Sequence, residues 1–428
     1  MFKDLVRRVI NVLLTRSSNF RLVNEVPEIE SKVHGIPSTG LYLHIPFCRQ
    51  ICPYCPYNKV IYQERLAGQY VDAVLKEIEI YANILGDKPI TSFYIGGGTP
   101  TTLLGRGIGR IVERIYSNFN MQCEIHMESH PNDLTDHNLD LIQELKVEHL
   151  SIGVEALQDR HLKTLHRPYT AEYVKDTVRR AASRTFTCVN ADLIFALPGQ
   201  TYDEIKEAGH TLVDLGVDQI AAYPLFRFPY THWAEVAKRK KFKSVGLLKR
   251  RKMLSILERI FYEAGYRRTS VWAFTKPSVP KYCSVTVPLY IGLGASGGSY
   301  LSDVLYFNTF NVEAYIHALM NGRLPIALSM NLSRAMQMAG WFYWRIYETA
   351  FLRSDFRDRF GEHFDSVYGL YARLFALLGL LKENQERIIL SDRGAYWLHA
   401  IQDIFSINYI SKLWGTSGNE PWPSSVSL

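Results

Sequence analysis

Strand-length apolar segments recur along this chain with a helix-length stretch between them, and that alternation restricts the fold more than any other feature. The segments are Leu41–Ile45, Ile90–Ile95, Cys123–Met127, His149–Val154, Val189–Phe195 and Gln219–Tyr223. Between the first two, Tyr70–Leu85 places Val71, Val74, Leu75 and Ile78 on one helical face. Strands joined by helices run parallel, because the helix carries the chain back to the end where the strand began. The pattern predicts an α/β fold over residues 37–230, a parallel sheet closed or partly closed like a barrel. In such sheets chemistry collects on the loops at the C-terminal strand ends.

The flanks differ. Residues 1–36 read as a leader. Phe2, Leu5, Val6, Val9 and Leu13 fall at helical spacing, with Lys3, Arg7, Arg8 and Arg16 elsewhere on the surface. Such a helix can make peripheral contact with a membrane surface, but docking on the main domain is the preferred reading. Beyond residue 230 the chain changes character. Lys238–Lys252 is strongly basic and helix-prone, Met253–Tyr266 continues as an amphipathic helix, and Gly292–Gly298 is a glycine-rich turn region. The aromatic-rich remainder predicts a mostly helical C-terminal domain over 231–428. Trp341, Phe342, Tyr343 and Trp344 are expected in its core, and Pro421–Leu428 is expected as a disordered tail.

Composition narrows the function class. No apolar run is long enough to span a bilayer, and no secretory pattern opens the chain. The net charge of +7, from 49 basic and 42 acidic residues, fits an anionic ligand and does not argue for nucleic acid. Of six cysteines three fall within eight residues, while Cys123, Cys188 and Cys283 stand alone and read as buried small hydrophobes. That usage speaks against a disulfide framework and for a reducing cytoplasm.

The clustered cysteines are Cys48, Cys52 and Cys55, directly after the first strand. Structural zinc wants four ligands, usually from paired C-x2-C knuckles, and no second knuckle exists here. A redox C-x2-C would use Cys52 and Cys55 and leave Cys48 unexplained. Three thiolates suit a cubane iron–sulfur cluster with one iron left open to a substrate or cofactor. Gly96-Gly97-Gly98-Thr99-Pro100, after the second strand, lets backbone approach a ligand closely, offering free N–H groups to a carboxylate or carbonyls to an ammonium. Asp192 interrupts the apolar run Ala191–Leu197, where an acid costs several kcal/mol unless it is paired or faces a polar site.

With Tyr42-Leu43-His44-Ile45-Pro46-Phe47-Cys48, Ser151-Ile152-Gly153-Val154-Glu155 and Asn190–Thr201, these motifs resemble the radical S-adenosylmethionine (SAM) superfamily, in the branch of oxygen-independent coproporphyrinogen III oxidase with its haem-chaperone and methyltransferase relatives. The resemblance implies a partial (β/α)6 barrel and a [4Fe–4S] cluster on Cys48, Cys52 and Cys55. It also implies SAM, one molecule or two, cleaved to a 5′-deoxyadenosyl radical that abstracts hydrogen. By the same resemblance Tyr42, Gly97, Gly98, Thr99, Glu128, Glu155, Arg167 and Asp192 contact SAM. Gly294 and Ala295 would contact a second nucleotide-like ligand, or else belong to a flexible interdomain turn. Implied partners are a tetrapyrrole or another anionic or aromatic small molecule, and an electron donor such as flavodoxin or ferredoxin.

Three departures separate this chain from its branch. Glu155 stands where the branch usually has glutamine. Pro56-Tyr57 stands where the decarboxylase carries a further cysteine, and Tyr282–Tyr290 lacks the His-Asn pair of the haem chaperones. Methyl transfer, porphyrinogen decarboxylation and non-catalytic haem carriage are therefore all carried forward, and no catalytic acid or base is assigned. His126, His130 and His161 are expected to be satisfied or exposed histidines rather than ligands.

Overall fold

The computed structural model describes residues 20–280 and 287–428. The amphipathic stretch 2–16 and Cys283 lie outside the described residues. Six strands pair in the order in which they occur: β1 (Thr39–Ile45), β2 (Pro89–Gly97), β3 (Ile125–Ser129), β4 (Val147–Glu155), β5 (Cys188–Phe195) and β6 (Gln219–Pro224). Every neighbouring pair is parallel. Helices α1 (Glu64–Leu85), α2 (Ile108–Asn118), α3 (Asp136–Glu144), α4 (Ala171–Ala182) and α5 (Tyr202–Asp214) make the crossovers. Thr135, Thr170 and Thr201 cap α3, α4 and α5, and Thr201 and Glu204 satisfy each other's backbone N–H in a capping box.

Alternation along each strand divides the sheet into two faces. On β5, Val189, Ala191 and Leu193 join the main core, whereas Asn190 and Asp192 turn the other way. A hydrogen-bonded ladder occupies that second face. Thr275 donates to Gln219 (2.8 Å), Gln219 to Asn190 (3.2 Å), and Asn190 to both Ser151 (2.8 Å) and Asp192 (2.9 Å). The ladder satisfies amides and hydroxyls that would otherwise be stranded inside the sheet. The sheet curls around this face: Tyr57, after β1, lies within electrostatic reach of Glu128 on β3 and Asp192 on β5.

The chain beyond residue 230 does not leave this sheet. Helix α6 (Trp233–Arg239) and helix α7 (Leu247–Glu263) are split by a turn, so the basic run is not one helix. Strand β7 (Ala273–Thr275) pairs antiparallel with β6. Strand β8 (Tyr290–Leu293) pairs parallel with the other side of β1, and β9 (Gly298–Leu301), β10 (Val304–Asn308) and β11 (Ile326–Asn331) follow as an antiparallel meander. The glycine-rich segment is thus an ordered turn of the sheet and not a flexible connector. Nor is the end of the chain a loose tail. Strand β12 (Ser425–Ser427) pairs with Arg21–Val23, which also joins β11. Leu22 and Val426 are buried in a small core with Leu328 and Leu413.

A further core gathers Trp341 and Phe342 from helix α9 (Arg334–Glu348) with Phe351, Phe356, Phe364 and Tyr368. Tyr343 and Trp344 face outward from it, being half-buried and exposed. Among the described residues no helix is long and apolar enough to cross a membrane.

One buried carboxylate ties α1 to the meander. Glu77 accepts from the Gly294 N–H (2.7 Å), the Asn308 amide (2.7 Å) and the Tyr315 hydroxyl (2.6 Å). Burial pushes its carboxyl up to about 7 despite these donors. Because the folded pKa is raised, Glu77 contributes stability that is complete below its unfolded pKa, about 4.5, and is lost as pH rises through about 7. Glu77→Gln is expected to flatten that pH dependence. Glu77→Ala, by stranding three buried donors, is expected to cost about 3 kcal/mol or more. Thermal melts of the three proteins at pH 5 and pH 8 check both.

Candidate active site

Strand β1 delivers the three cysteines. Beyond Ile45 the loop closes on itself: Val60 N–H donates to Pro46 (2.7 Å) and Tyr62 N–H to Cys48 (2.9 Å). The Lys59 ammonium donates to the carbonyls of Cys55 (2.8 Å) and Tyr57 (2.9 Å). All three thiols are free, Cys48 buried and Cys52 and Cys55 half-buried. Burial pushes the Cys48 thiol up to about 12, offset in part by the Thr99 hydroxyl, which donates to its sulfur (3.4 Å). A cleft of about 250 Å³ opens over the loop, lined by Cys52, Cys55, Lys59, Tyr230, Thr231 and His232. Among the described residues no three His, Cys, Asp or Glu side chains converge on one metal-ion position.

A charged rim faces the loop. Glu128, on β3, accepts from Tyr94 (2.7 Å) and from the Gly97 N–H (3.0 Å), and burial raises its carboxyl. Asp192 accepts from Ser151 (2.9 Å) and Asn190 (2.9 Å). Burial, with Glu155 and Glu128 adding repulsion, pushes it up to about 8. Glu155 ends β4 in the left-handed region (φ 65°), a conformation costly for a non-glycine residue and common at functional positions. It forms a nearly buried ion pair with Arg167 and accepts from Tyr223 (3.4 Å). The Arg167 Nε–H also donates to Tyr54 (3.1 Å), within the cysteine loop.

The structure brings Cys48, Cys52, Cys55, Thr99, Glu128, Glu155, Arg167 and Asp192 to one end of the sheet, but it alters several expectations. The N–H groups of Gly97 and Gly98 are not free for a carboxylate, since they donate to Glu128 and to the Ile45 carbonyl (2.7 Å). Gly97 is required by packing: at φ 119° an added Cβ would lie 2.7 Å from the His44 ring. Arg167 is held by Glu155 and does not stand ready for a ligand carboxylate. Gly294 and Ala295 lie behind β1, where their N–H groups are spent on Glu77 (2.7 Å) and Tyr70 (2.9 Å). Asn308 and Tyr315 hold Glu77, and Asn311 caps helix α8 (Val312–Met320).

His44 was the least legible member. Burial lowers its pKa to about 4, so the ring is neutral. Its Nε2 faces the Asn58 carbonyl (2.9 Å) and must carry the proton, which leaves Nδ1 to accept from Tyr42 (2.9 Å). Tyr42 is thereby fixed beside Tyr94 on the polar face. Tyr54, Lys59 and Tyr230 were also missed, because each acts through a contact that no spacing rule encodes. Of the dismissed histidines, His126 stacks on His149 (4.0 Å), His130 accepts from the Asn132 N–H, and His161 contacts Glu204.

The family model of the radical SAM superfamily matches residues 42–212, the span that carries the cysteine loop and the charged rim. These residues are a radical SAM domain. The chain is similar to the haem chaperone HemW of Lactococcus lactis, 26% identical over 82% of this chain and 93% of that protein. It is also similar to the oxygen-independent coproporphyrinogen III oxidases of Pseudomonas aeruginosa (25%; 88% and 87% covered) and Escherichia coli (30%; 56% and 52% covered). The solved structure of the Escherichia coli coproporphyrinogen III oxidase superposes with a TM-score of 0.77 over 90% of this chain and 94% of that one, at 22% identity. The fold is therefore the mixed α/β fold of that structure.

A radical SAM domain implies a [4Fe–4S] cluster and SAM, and the residues present fit both. Three unpaired thiols share one loop, and a rim with more carboxylates than cations stands over them. Hydrogen bonds to cluster sulfurs stabilise the reduced, more negative state. Thr99→Val, which keeps the shape and removes the donor to Cys48, is expected to leave the iron content of reconstituted protein unchanged and to shift its reduction midpoint to a more negative potential. Spectroelectrochemistry reads the shift.

Proposed function

We propose that this chain is an enzyme in which Cys48, Cys52 and Cys55 hold the cluster, the rim holds SAM, and a tetrapyrrole-like substrate is oxidised by hydrogen abstraction. The observation that carries the reading is the direct link from cysteine loop to charged rim through Tyr54, Arg167 and Glu155. When bound, the cluster and SAM together supply a 5′-deoxyadenosyl radical.

The chain's own residues do the rest. SAM carries an ammonium and a sulfonium against one carboxylate, a net positive ligand. Glu128, Glu155 and Asp192 outnumber Arg167, so a cation favours the ionised form of carboxyls that burial and their mutual repulsion hold back. Tyr42, oriented by His44, borders the same face, and Gly97 and Gly98, whose N–H groups are spent, can offer an ammonium only their carbonyls. Arg167 exchanges part of its pairing with Glu155 for the ligand carboxylate. One SAM is the reading favoured here, because the Gly294 and Ala295 amides are committed inside the protein. Half-buried free thiols fit a reducing cytoplasm.

The named relatives divide between a coproporphyrinogen oxidase and a haem chaperone, which supports a tetrapyrrole as ligand. Similarity to HemW makes haem carriage the second reading, although the oxidase of Pseudomonas aeruginosa is covered to a comparable extent. Anaerobic reconstitution with SAM and dithionite separates the readings. Release of 5′-deoxyadenosine, lost together with the visible cluster absorption in Cys52→Ser, supports the enzyme. Carbon dioxide from coproporphyrinogen III identifies decarboxylation, and S-adenosylhomocysteine alongside 5′-deoxyadenosine identifies methyl transfer with a second SAM. Haem binding without 5′-deoxyadenosine overturns the enzyme in favour of the carrier.

The raised Asp192 adds a pH signature. Below about pH 8 its carboxyl is protonated in the free protein, and a cation favours the ionised form, so SAM binding releases a proton. Affinity for SAM is expected to tighten from pH 6 to pH 8 and then level off. Calorimetry in buffers of different ionisation enthalpy should register the released proton, and Asp192→Asn should abolish it.

A further inference from the structure

Nine of the fifteen residues 238–252 are Lys or Arg and none is acidic, so this run alone carries more positive charge than the chain's net +7. Lys238, Arg239, Lys240, Lys241, Lys243 and Lys249 are exposed, and none of them has an acidic partner among the described residues. The run is held in shape. Trp233 is buried and stacks on Phe242 (centroids 6.1 Å, planes 23° apart), which pins the turn after α6 against that helix. At the start of α7 the basic residues flank an apolar spot, Leu247 and Leu248, the latter 77% exposed.

Its position is what gives the platform meaning. Tyr230, Thr231 and His232 line the cleft over Cys52 and Cys55, and α6 begins at the next residue. The Tyr230 hydroxyl donates to the Pro56 carbonyl (2.9 Å), fastening this segment to the cysteine loop. Lys238 lies six residues into the chain beyond His232, about 9 Å along a helix. A dense unpaired positive surface with an apolar centre, beside the half-buried thiols, meets the requirements of a docking face for an acidic protein.

We propose that the Lys238–Lys252 platform docks an acidic one-electron carrier protein over the cleft beside Cys52 and Cys55. The inference rests on the proposed function, which needs one electron per SAM cleaved. The carrier's reduced flavin gives up that electron and becomes a semiquinone, while the cluster gains it and passes from the 2+ to the 1+ state. No bond forms between the partners. A membrane surface is the less favoured occupant, since the apolar spot is two leucines and not a helical face.

The test pairs binding with reduction, using the full chain and an acidic flavodoxin. Flavodoxin is expected to bind wild-type protein with an affinity that falls as salt rises. The K238E/K240E/K243E variant, its fold checked by circular dichroism, should bind at least tenfold more weakly whether or not the cluster is loaded. A separate Lys249→Glu change should weaken binding by a smaller factor, in the same direction. Flavodoxin hydroquinone should reduce the variant's cluster more slowly in proportion, while dithionite reduces both proteins alike. Equal binding by variant and wild type overturns the proposal. So does wild-type binding to phosphatidylglycerol vesicles with none to flavodoxin. If dithionite also yields no 5′-deoxyadenosine from either protein, the proposed function fails, and the binding comparison still decides the docking face.

Discussion

The environment of His44 sets the spacing of everything around it. Its ring is wedged between the Tyr42 hydroxyl and the Asn58 carbonyl, and its own carbonyl takes the Tyr70 hydroxyl (2.7 Å). Two glycine backbones press on it from opposite sides, Gly97 against the ring and Gly294 (φ 91°) against the carbonyl, where an added Cβ would come within 2.5 Å. Strand β1 can lie between β2 and β8 at this depth because both neighbours lack a side chain at the point of contact. The cysteine loop leaves from the end of that strand, so its position follows from a neutral imidazole and two absent methyl groups. The Tyr70 hydroxyl that binds the His44 carbonyl also receives the Ala295 N–H, and Glu77 receives that of Gly294, so the meander behind β1 is fastened to the same point.

The front of β1 follows a different rule. Carboxylates are gathered on the polar face at a density that burial makes expensive. Hydroxyl and amide donors lessen the cost to Asp192 and Glu128 without removing it, and of the three carboxylates Arg167 pairs with Glu155. The ladder through Ser151, Asn190, Gln219 and Thr275 prevents Asp192 from turning away to water. In the absence of a cation the rim lessens that cost of burial by holding Asp192 protonated below about pH 8.

Much of this was legible in the sequence, because it is carried by local pattern. Six alternating segments sufficed for the parallel sheet, and the C-x3-C-x2-C spacing singled out the loop on which the candidate site is built. Asp192 announced itself as an acid in an apolar strand. What could not be read depended on contacts distant in sequence. Gly292–Ser299 has the composition of a flexible turn, and only the register of β8 against β1 makes it a fixed one. The end of the chain has the composition of a tail, yet it supplies a strand partner to Arg21–Val23, four hundred residues away. The glycines after β2 were read as space for a ligand, whereas the space at Gly97 is already filled by His44. Glu77 sits in an ordinary amphipathic helix, and nothing nearby in the sequence marks the one carboxylate that points inward.

The same distinction bears on where specificity resides. Pro56 and Tyr57 stand where the resemblance places a further cysteine in the decarboxylase. Here the Pro56 carbonyl is used to anchor Tyr230, and through it the segment that leads to α6. The loop that holds the cysteines is therefore joined to the charged rim by Tyr54 on one side and to the basic platform by Pro56 on the other. A change at either joint leaves the three thiols in place but alters what can reach them. The thiols alone would be shared with any protein built on this loop. The two joints differ in kind: the Pro56 joint is a backbone carbonyl that any residue would offer, whereas the Tyr54 joint depends on that side chain.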